Sequence, residues 1–269
     1  MEITMKIRTR LRQWGLKHCA GLYDFYSECV RRTLPDKAMV CDGPGFKINI
    51  ASPRENVIDR AIYRTGIWEP EMTSMAIGKI QPGWHILDVG AHIGYYSLLF
   101  GTQCGPEGRV AAFEPEADAY ASLLENIELN ERKNIRTFRL ALSDHRGHAV
   151  MKTGNRGQML SDEEGDSEET VEMIPFDEFW PSLDWSRLDL VKIDVEGAEK
   201  DILTGMGKVL ERYHPHLFVE IHPLHLKKVF HSSADEVLRL LQDKYHYKLL
   251  PVDADSLEIR DDNVTVWGD

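Results

Sequence analysis

The stretch Ile86–Phe100, which reads ILDVGAHIGYYSLLF, decides the fold of this 269-residue chain. An apolar run that ends near Asp88 predicts a buried strand, and the apolar run that follows Gly94 predicts a helix. Between the two runs lies a G-x-x-x-G turn formed by Gly90 and Gly94. Ligands of open α/β sheets bind beyond the carboxyl ends of the strands, so this turn predicts a ligand site.

The turn differs from the common phosphate-binding patterns. The nicotinamide fingerprint G-x-G-x-x-G requires a glycine where this chain has His92, and no Gly-Lys-Ser/Thr follows as in a P-loop. Glu114 ends the next apolar run, where a carboxylate can accept hydrogen bonds from both ribose hydroxyls. The two strand ends therefore carry acids but no phosphate-binding loop. This combination suits a positively charged nucleoside such as S-adenosylmethionine (SAM).

Around this stretch, apolar segments alternate with amphipathic ones, which predicts an α/β domain with a mainly parallel sheet covered on both faces. Turn residues at 33–50 predict a β-hairpin, and helices are expected at 54–66 and 70–80. Further on we expect a strand at 135–143, one helix at 198–213, and short strands at 247–252, 256–260 and 263–268. Segments 148–154 and 169–176 predict a second hairpin, joined by an acidic loop that is solvated or closes over a substrate.

Residues 1–33 carry apolar side chains at helical spacing together with an excess of Lys and Arg. This pattern predicts a basic amphipathic helix that docks on the domain or on a second subunit, with a membrane surface as the alternative. We therefore expect an N-terminal helical and hairpin extension at 1–50 and a catalytic domain at 51–269. A homodimer through the N-terminal helix is one expectation.

The formal net charge of −12 argues against a broad nucleic-acid surface, which needs an excess of basic residues. The cysteines Cys19, Cys29, Cys41 and Cys104 form no C-x-x-C pair and have no zinc-ligand spacing. No apolar run approaches the roughly 20 residues of a membrane span, and the N-terminus has no signal-peptide pattern. These features favour a reduced, cytoplasmic protein.

Several motifs in order resemble the FkbM-type SAM-dependent methyltransferases: LDVGAHIGYYS, AFEPEADAYASLLENIELN, LALSD and VKIDVEGAEKDILTGM. GIWEPEMT and FVEIH fit as well, and the resemblance runs from about Ile58 to Pro223. His92 stands where the family usually has Asn. The resemblance implies a Rossmann-like class I methyltransferase sheet of seven strands. It also implies methyl transfer from SAM, commonly to a hydroxyl on a sugar or a natural product.

The resemblance also assigns residues to the cofactor. Asp88, Gly90 and Gly94 shape the methionine side of the pocket, and Glu114 holds the ribose. The other expected contacts are Pro115 beside the ribose, Leu142 and Ser143 at the adenine, and Glu69 and Thr73 at the methionine ammonium and carboxylate. His92, Tyr95 and Asp194 complete the expected set. Tyr95 either stacks on a ligand or packs in the core.

For catalysis, KIDVEG supplies Asp194 and Glu196, and VEIHP supplies Glu220 and His222. His222 is the first choice for the base that takes the acceptor's proton, because an unperturbed pKa of about 6.5 suits that task. Asp194 is the second choice, or it positions SAM or the acceptor. Asp194, Glu220 and His222 could together bind a divalent metal. Their spacing matches no known ligand signature, so we expect no metal.

We therefore predict an O-methyltransferase that acts on a sugar, a glycan or a secondary metabolite. The alternatives are the same fold acting on an amine, a protein or RNA, and a SAM-binding scaffold protein without catalysis.

Overall fold

The structure is a computed structural model that describes residues 31–153, 167–252 and 264–269. The predicted N-terminal helix lies outside the described residues except at its end, where Arg31 and Arg32 are helical. The predicted strand at 256–260 and residues 154–166 of the acidic loop also lie outside them.

Short strands and helices alternate along the described residues. The strands are β1 (Met39–Gly43), β2 (Phe46–Ile50), β3 (His85–Val89), β4 (Arg109–Phe113), β5 (Ile135–Phe138), β6 (Ala141–Leu142), β7 (Gly147–Thr153), β8 (Ser167–Ile174), β9 (Leu190–Ile193), β10 (His216–Ile221), β11 (Leu249–Pro251) and β12 (Val264–Gly268). The helices are α1 (Val57–Thr65), α2 (Pro70–Lys79), α3 (Tyr95–Gln103), α4 (Ala117–Leu129), α5 (Phe176–Phe179), α6 (Glu199–Gly205), α7 (Gly207–Tyr213), α8 (Pro223–Lys228) and α9 (Ala234–Arg239). A 3-10 turn at Trp180–Leu183 follows α5, and a π-helical turn at Leu240–Lys244 continues α9.

The main sheet has seven strands in the order β11-β12-β10-β9-β3-β4-β5. β3 pairs in parallel with both β4 and β9, whereas β12 runs antiparallel between β10 and β11. The expected Rossmann-like, mainly parallel sheet is thereby confirmed. The strand order reverses between β3 and β9, and ligands of such sheets bind at this switch point.

Alternate residues of each central strand bury against opposite helical layers, as the period of a strand requires. In β3, Leu87 and Val89 belong to the apolar core that contains α6 and α7, whereas Ile86 belongs to the core that contains α3. Asp88 shares the face of Ile86 and stands opposite Lys192 of β9. A carboxylate and an ammonium group are therefore buried side by side at the switch point.

The hairpin β1–β2 packs on helix α4. Asn126 accepts the Asn49 N–H (2.6 Å) and donates to the Asn49 carbonyl, and Asn130 makes the same pair of bonds with Lys47. Ile48 and Ile50 are buried in the core that contains α3. The hairpin of the predicted N-terminal extension is thus packed on the main core, and the boundary at residue 50 stays a prediction.

Two elements differ from the sequence-based expectation. The strand predicted at 135–143 divides into β5 and β6, because β6 leaves the main sheet and pairs with β8 in a small sheet of order β6-β8-β7. The helix predicted at 198–213 divides at Met206. Gly205 lies so close to the Ser143 carbonyl that a Cβ would stand 1.9 Å from its oxygen.

The pairing of β7 with β8 confirms the second hairpin. Helices α5 and α8 were not predicted. No helix of the described ranges is long and apolar enough to cross a membrane.

Candidate active site

The carboxyl ends of the central strands bring together acids that are far apart in the sequence. Asp88 lies in β3, Glu114 follows β4, Asp194 follows β9 and Glu220 lies in β10. Because these strands are parallel neighbours, their carboxyl ends meet at one edge of the sheet. The structure therefore brings the sequence-predicted acids together: Asp194 and Glu220 are partly exposed at a cleft, whereas Asp88 and Glu114 are buried beside it.

The glycine turn is shaped by packing within the protein. Gly90 and Gly94 have φ angles of 78° and 92°, which L side chains rarely adopt. A Cβ on Gly90 would lie 1.9 Å from the Asp194 carbonyl oxygen, and one on Gly94 would lie 2.6 Å from the Leu123 side chain. The missing Cβ atoms therefore admit neighbouring parts of the chain, and the expected role of Gly90 and Gly94 in shaping the methionine side of the pocket stays a prediction.

Glu114 is buried at the end of β4, and its two oxygens are held by different backbone groups. Oε2 accepts the His92 N–H (2.8 Å) and Oε1 accepts the Glu116 N–H (3.0 Å). Burial raises the pKa of Glu114 to about 7, although these two hydrogen bonds lower it. Each carboxylate oxygen has a second lone pair, so the group can accept two further hydrogen bonds.

Lys192 is a site residue that the sequence analysis missed. Its side chain is 3% exposed, its Nζ donates to the Gly90 carbonyl (3.0 Å), and Nζ lies 3.4 Å from both Asp88 Oδ1 and Asp194 Oδ2. The ammonium group also lies 5.3 Å from the centroid of the Tyr96 ring. Burial lowers the pKa of Lys192, but Asp194 and Asp88 outweigh this effect and raise it above the usual value. Lys192 therefore ties the glycine turn to both acids.

Asp88 is fully buried, so it does not line the open cleft. Besides approaching Lys192, it accepts a hydrogen bond from the Ser97 hydroxyl (2.6 Å). Asp88 is thus linked to the glycine turn through Lys192, and its expected place at the methionine side of the cofactor stays a prediction. A lysine in the apolar run LVKI was the signal in the sequence that could have revealed this ion pair.

Glu69 faces the same cleft from the start of α2. Its Oε2 accepts a hydrogen bond from the Tyr96 hydroxyl (2.7 Å). Burial raises the pKa of Glu69 to about 7, and the nearby Glu220 and Asp194 carboxylates add to the rise. A positively charged ligand group beside Glu69 would favour its ionised form.

Thr73 and Tyr95, which were expected at the cofactor, are used inside the protein. The Thr73 hydroxyl donates to the Trp68 carbonyl (2.6 Å), and its side chain is buried. Tyr95 packs edge-to-face against Phe46 and Tyr96 and is 3% exposed. These contacts satisfy both side chains. For Tyr95 they agree with the core-packing alternative, and the expected cofactor contact of Thr73 stays a prediction.

The remaining expected cofactor residues surround the ends of β4 and β6. Pro115 is half-buried beside Glu114, whereas Leu142 and Ser143 are buried. The backbone N–H of Ser143 donates to the Ile174 carbonyl (3.1 Å). His92 adopts a φ of 50°. It lines a cavity of about 140 Å³ together with residues of β2, α1 and α4. Their expected contacts with a cofactor stay predictions.

His222 lies beside four carboxylates of the described residues. Its Nδ1 is 2.8 Å from a Glu199 oxygen, and its Nε2 is 3.4 Å from Glu220. Nε2 also lies 3.8 Å from Asp194 and 4.0 Å from Glu196. Burial lowers the pKa of His222, but the hydrogen bonds to Glu199 and Glu220 outweigh it and raise the pKa to about 11. The raised pKa favours the protonated imidazole in the absence of a ligand, and the expected role of His222 as the base stays a prediction.

The acids around His222 differ in their surroundings. Although burial raises the pKa of Asp194, Lys192 and His222 outweigh this effect and hold it below the usual value. Burial and the Asp194 charge raise the pKa of Glu220. Glu196 is 33% exposed, adopts a φ of 54°, and its Oε2 lies 2.6 Å from His225 Nδ1. Glu196 is therefore the acid with the most direct connection to solvent.

Comparison with known proteins gives a consistent match. The family model of the methyltransferase FkbM domain matches residues 88–249. Hexuronic acid methyltransferase AglP of Haloferax volcanii is 30% identical over 139 residues, which are 50% of this chain and 54% of AglP. Methyltransferase sdnD of Sordaria araneosa is 28% identical over 157 residues, covering 46% of this chain and 60% of sdnD. The chain thus spans between half and two thirds of the length of these curated relatives.

Among solved structures, methyltransferase FkbM from Methylobacillus flagellatus KT is similar with a TM-score of 0.49 and 14% sequence identity. The match covers 77% of this chain and 46% of that protein.

Proposed function

Because the chain belongs to the FkbM methyltransferase family, we propose that it is a SAM-dependent O-methyltransferase that acts on a hydroxyl of a sugar, a glycan or a secondary metabolite. SAM supplies a methyl group bound to a positively charged sulfur. The observation that carries the proposal is the ring of carboxylates at the carboxyl ends of β4, β9 and β10, namely Glu114, Asp194 and Glu220. Such a ring suits a cationic cofactor and an acceptor with hydrogen-bond donors.

The residues present fit this cofactor. Glu114 has spare lone pairs after binding two backbone N–H groups, so it can hold the two ribose hydroxyls. Glu69 and Asp194 provide negative charge on the other side of the glycine turn. These carboxylates would pair with the ammonium group of the cofactor. Lys192 fixes the turn by its bond to the Gly90 carbonyl. These four residues are the proposed cofactor-binding core.

The acceptor is proposed to be an uncharged hydroxyl group. AglP is described as a hexuronic acid methyltransferase, and a hexuronic acid also carries hydroxyl groups. In this chain Asp194, Glu196 and Glu220 lie together where an acceptor would approach, and they would repel an anion. Neutral sugar hydroxyls can donate hydrogen bonds to these carboxylates. The same charges disfavour a phosphate-rich acceptor such as RNA.

Glu196 is proposed to take the proton of the acceptor hydroxyl. A positioned base contributes about 10² to 10⁴ in rate. The carboxylate is partly exposed and lies beside the His225 ring, through which the proton can reach solvent. His222, which is held by Glu199, is proposed to position Glu220 through their contact.

The test has two stages. Calorimetric titration of the purified chain with SAM and, separately, with NAD should show binding of SAM alone. Incubation with methyl-labelled SAM and a panel of neutral glycosides, uronic acids and amino sugars should then label the neutral compounds. Resistance of the label to mild alkali identifies a methyl ether, since an ester would be cleaved. Absence of SAM binding would refute the cofactor assignment, and labelling of uronic carboxyl or amino groups alone would refute the hydroxyl acceptor.

A further inference from the structure

Three side chains from two neighbouring strands bring metal-ligand atoms close together. Asp194 follows β9, Glu220 lies in β10, and His222 follows β10. One ligand atom from each lies within 4.8 Å of the other two. His222 Nε2 is 3.4 Å from Glu220 Oε1 and 3.8 Å from Asp194 Oδ1. Ligands held at about 2.0–2.2 Å from one ion lie roughly 3–4 Å apart, so this set needs little rearrangement.

A fourth residue, Glu199, fixes the orientation of the imidazole. Glu199 is fully buried, and its Oε1 accepts from His222 Nδ1 (2.8 Å) and from the Gly197 N–H (3.0 Å). The hydrogen bond occupies Nδ1 and turns Nε2 towards Asp194 and Glu220. Metal-binding histidines commonly bind a carboxylate through their second nitrogen in this way, which fixes the tautomer and the ring plane.

The charges around the ring also require a cation. Within 4.0 Å of the ring nitrogens, the described residues place the carboxylates of Asp194, Glu196, Glu199 and Glu220. Lys192 approaches Oδ2 of Asp194, so Oδ1 is the oxygen that faces the imidazole. Four carboxylates therefore surround a ring that can carry one positive charge, and a doubly charged ion would offset them better than a proton.

We propose that Asp194, Glu220 and His222 form a binding site for a divalent transition metal of the Mn²⁺ or Zn²⁺ class. A mixed set of one imidazole and two carboxylates suits these ions, whereas Mg²⁺ and Ca²⁺ prefer oxygen ligands alone. The imidazole is 3% exposed, and the carboxylates of Asp194 and Glu220 are 27% and 17% exposed. The open coordination positions consequently face the cleft.

At these open positions the metal binds the oxygen of the acceptor hydroxyl, a role that rests on the proposed function. A hydroxyl bound to a Lewis acid loses its proton more readily. The O–H bond breaks, its electron pair stays on the oxygen, and the proton passes to Glu196.

The first test is titration of the full chain with Mn²⁺, followed by electron paramagnetic resonance of the free ion. We expect one ion per chain with micromolar affinity. Electron spin echo modulation of the bound ion should show a directly bound nitrogen. The nitrogen signal should be absent in His222→Gln. A patch of acids without the imidazole would give no such signal.

Matched variants separate the ligands from their neighbours. Glu220→Gln should weaken Mn²⁺ binding at least about tenfold, and Glu199→Gln should weaken it about 10- to 100-fold while leaving the three ligands in place. Glu236→Gln removes a surface carboxylate that pairs with Lys200, and should leave Mn²⁺ binding unchanged. If His222→Gln fails to fold, weaker Mn²⁺ binding by a folded Glu199→Gln variant, with the nitrogen signal retained at saturating Mn²⁺, would support the same site.

Either of two results overturns the inference: no Mn²⁺ or Zn²⁺ binding below millimolar concentration, or equal binding by Glu220→Gln and the wild type. Its failure is distinguishable from failure of the proposed function. Methyl transfer that persists in the presence of a chelator would refute the metal's role and keep the methyltransferase, whereas absent SAM binding would refute the proposed function and leave the metal titration valid.

Discussion

The substitution Glu114→Gln tests the cofactor assignment through a buried carboxylate whose two oxygens are both held by backbone N–H groups. Two charge-assisted hydrogen bonds to the ribose contribute about 1.5–3 kcal/mol each. Glutamine keeps one carbonyl acceptor, but its NH₂ group must face the N–H of either His92 or Glu116. We therefore expect a loss of about 2–4 kcal/mol, which raises the dissociation constant for SAM roughly 30- to 700-fold.

The pH dependence of SAM binding gives a second measure of the same residue. Burial raises the pKa of Glu114 to about 7, so the ionised form that accepts ribose hydrogen bonds is lost as the pH falls through that value. Between about pH 8 and about pH 6, the loss of SAM affinity should be about tenfold larger for the wild type than for Glu114→Gln. Glu69 and SAM itself also change protonation with pH. Their effects on affinity are the same for both proteins, so they cancel in the comparison.

Isothermal calorimetry measures both effects, and Glu128→Gln on the exposed side of α4 is the matched control. Thermal unfolding of each variant separates lost binding from lost folding. The reasoning is refuted if Glu114→Gln binds SAM within threefold of the wild type, or if both proteins show the same pH dependence.

Three further substitutions test the turn, the buried cation and the proton acceptor. Gly90→Ala should prevent folding or lower the free energy of unfolding in urea far more than Gly83→Ala. Gly83 has a similar φ of 83° but open space around its Cβ position, so its substitution should cost only about 1–2 kcal/mol; equal losses would contradict the packing argument. Lys192→Met should destabilise the protein by about 3–5 kcal/mol, because it leaves the buried Asp88 carboxylate without its counter-ion. Acidic pH should recover part of that loss in urea unfolding, and unchanged stability would show that the ion pair contributes little. Glu196→Gln should lower the turnover about 10²- to 10⁴-fold with unchanged SAM affinity, and full activity would exclude Glu196 as the proton acceptor.

The sequence predicted the sheet well because buried parallel strands have a simple sequence pattern. Runs such as HILDV and RVAAF are short, apolar and followed by amphipathic helices, and both became central strands. The strand at 135–143 was predicted as one element because its apolar residues continue past Arg139. The division arises from pairing of β6 with β8, which follows it by some 30 residues and is not visible in a local pattern.

The positions of these acids could be predicted, whereas the side chains that pair with them could not. Asp88, Glu114, Asp194 and Glu220 were placed correctly at strand ends because parallel strands align those ends. Whether an acid faces the cleft or the core depends on a partner elsewhere in the chain. The buried Asp88 has Lys192 opposite it on the neighbouring strand β9, and the hydrogen bonding of His222 depends on Glu199, which lies 23 residues earlier.

The docking of the hairpin on α4 has a consequence for how freely this region can change. Asn126 and Asn130 bind only main-chain atoms of β2, and Asn126 also donates to the Ile93 carbonyl in the glycine turn. Main-chain atoms are common to all residue types, so the exposed side chains of β1 and β2 can be exchanged without loss of these hydrogen bonds. The hairpin is therefore a suitable place to graft foreign loops, while two asparagines keep the graft aligned with the glycine turn.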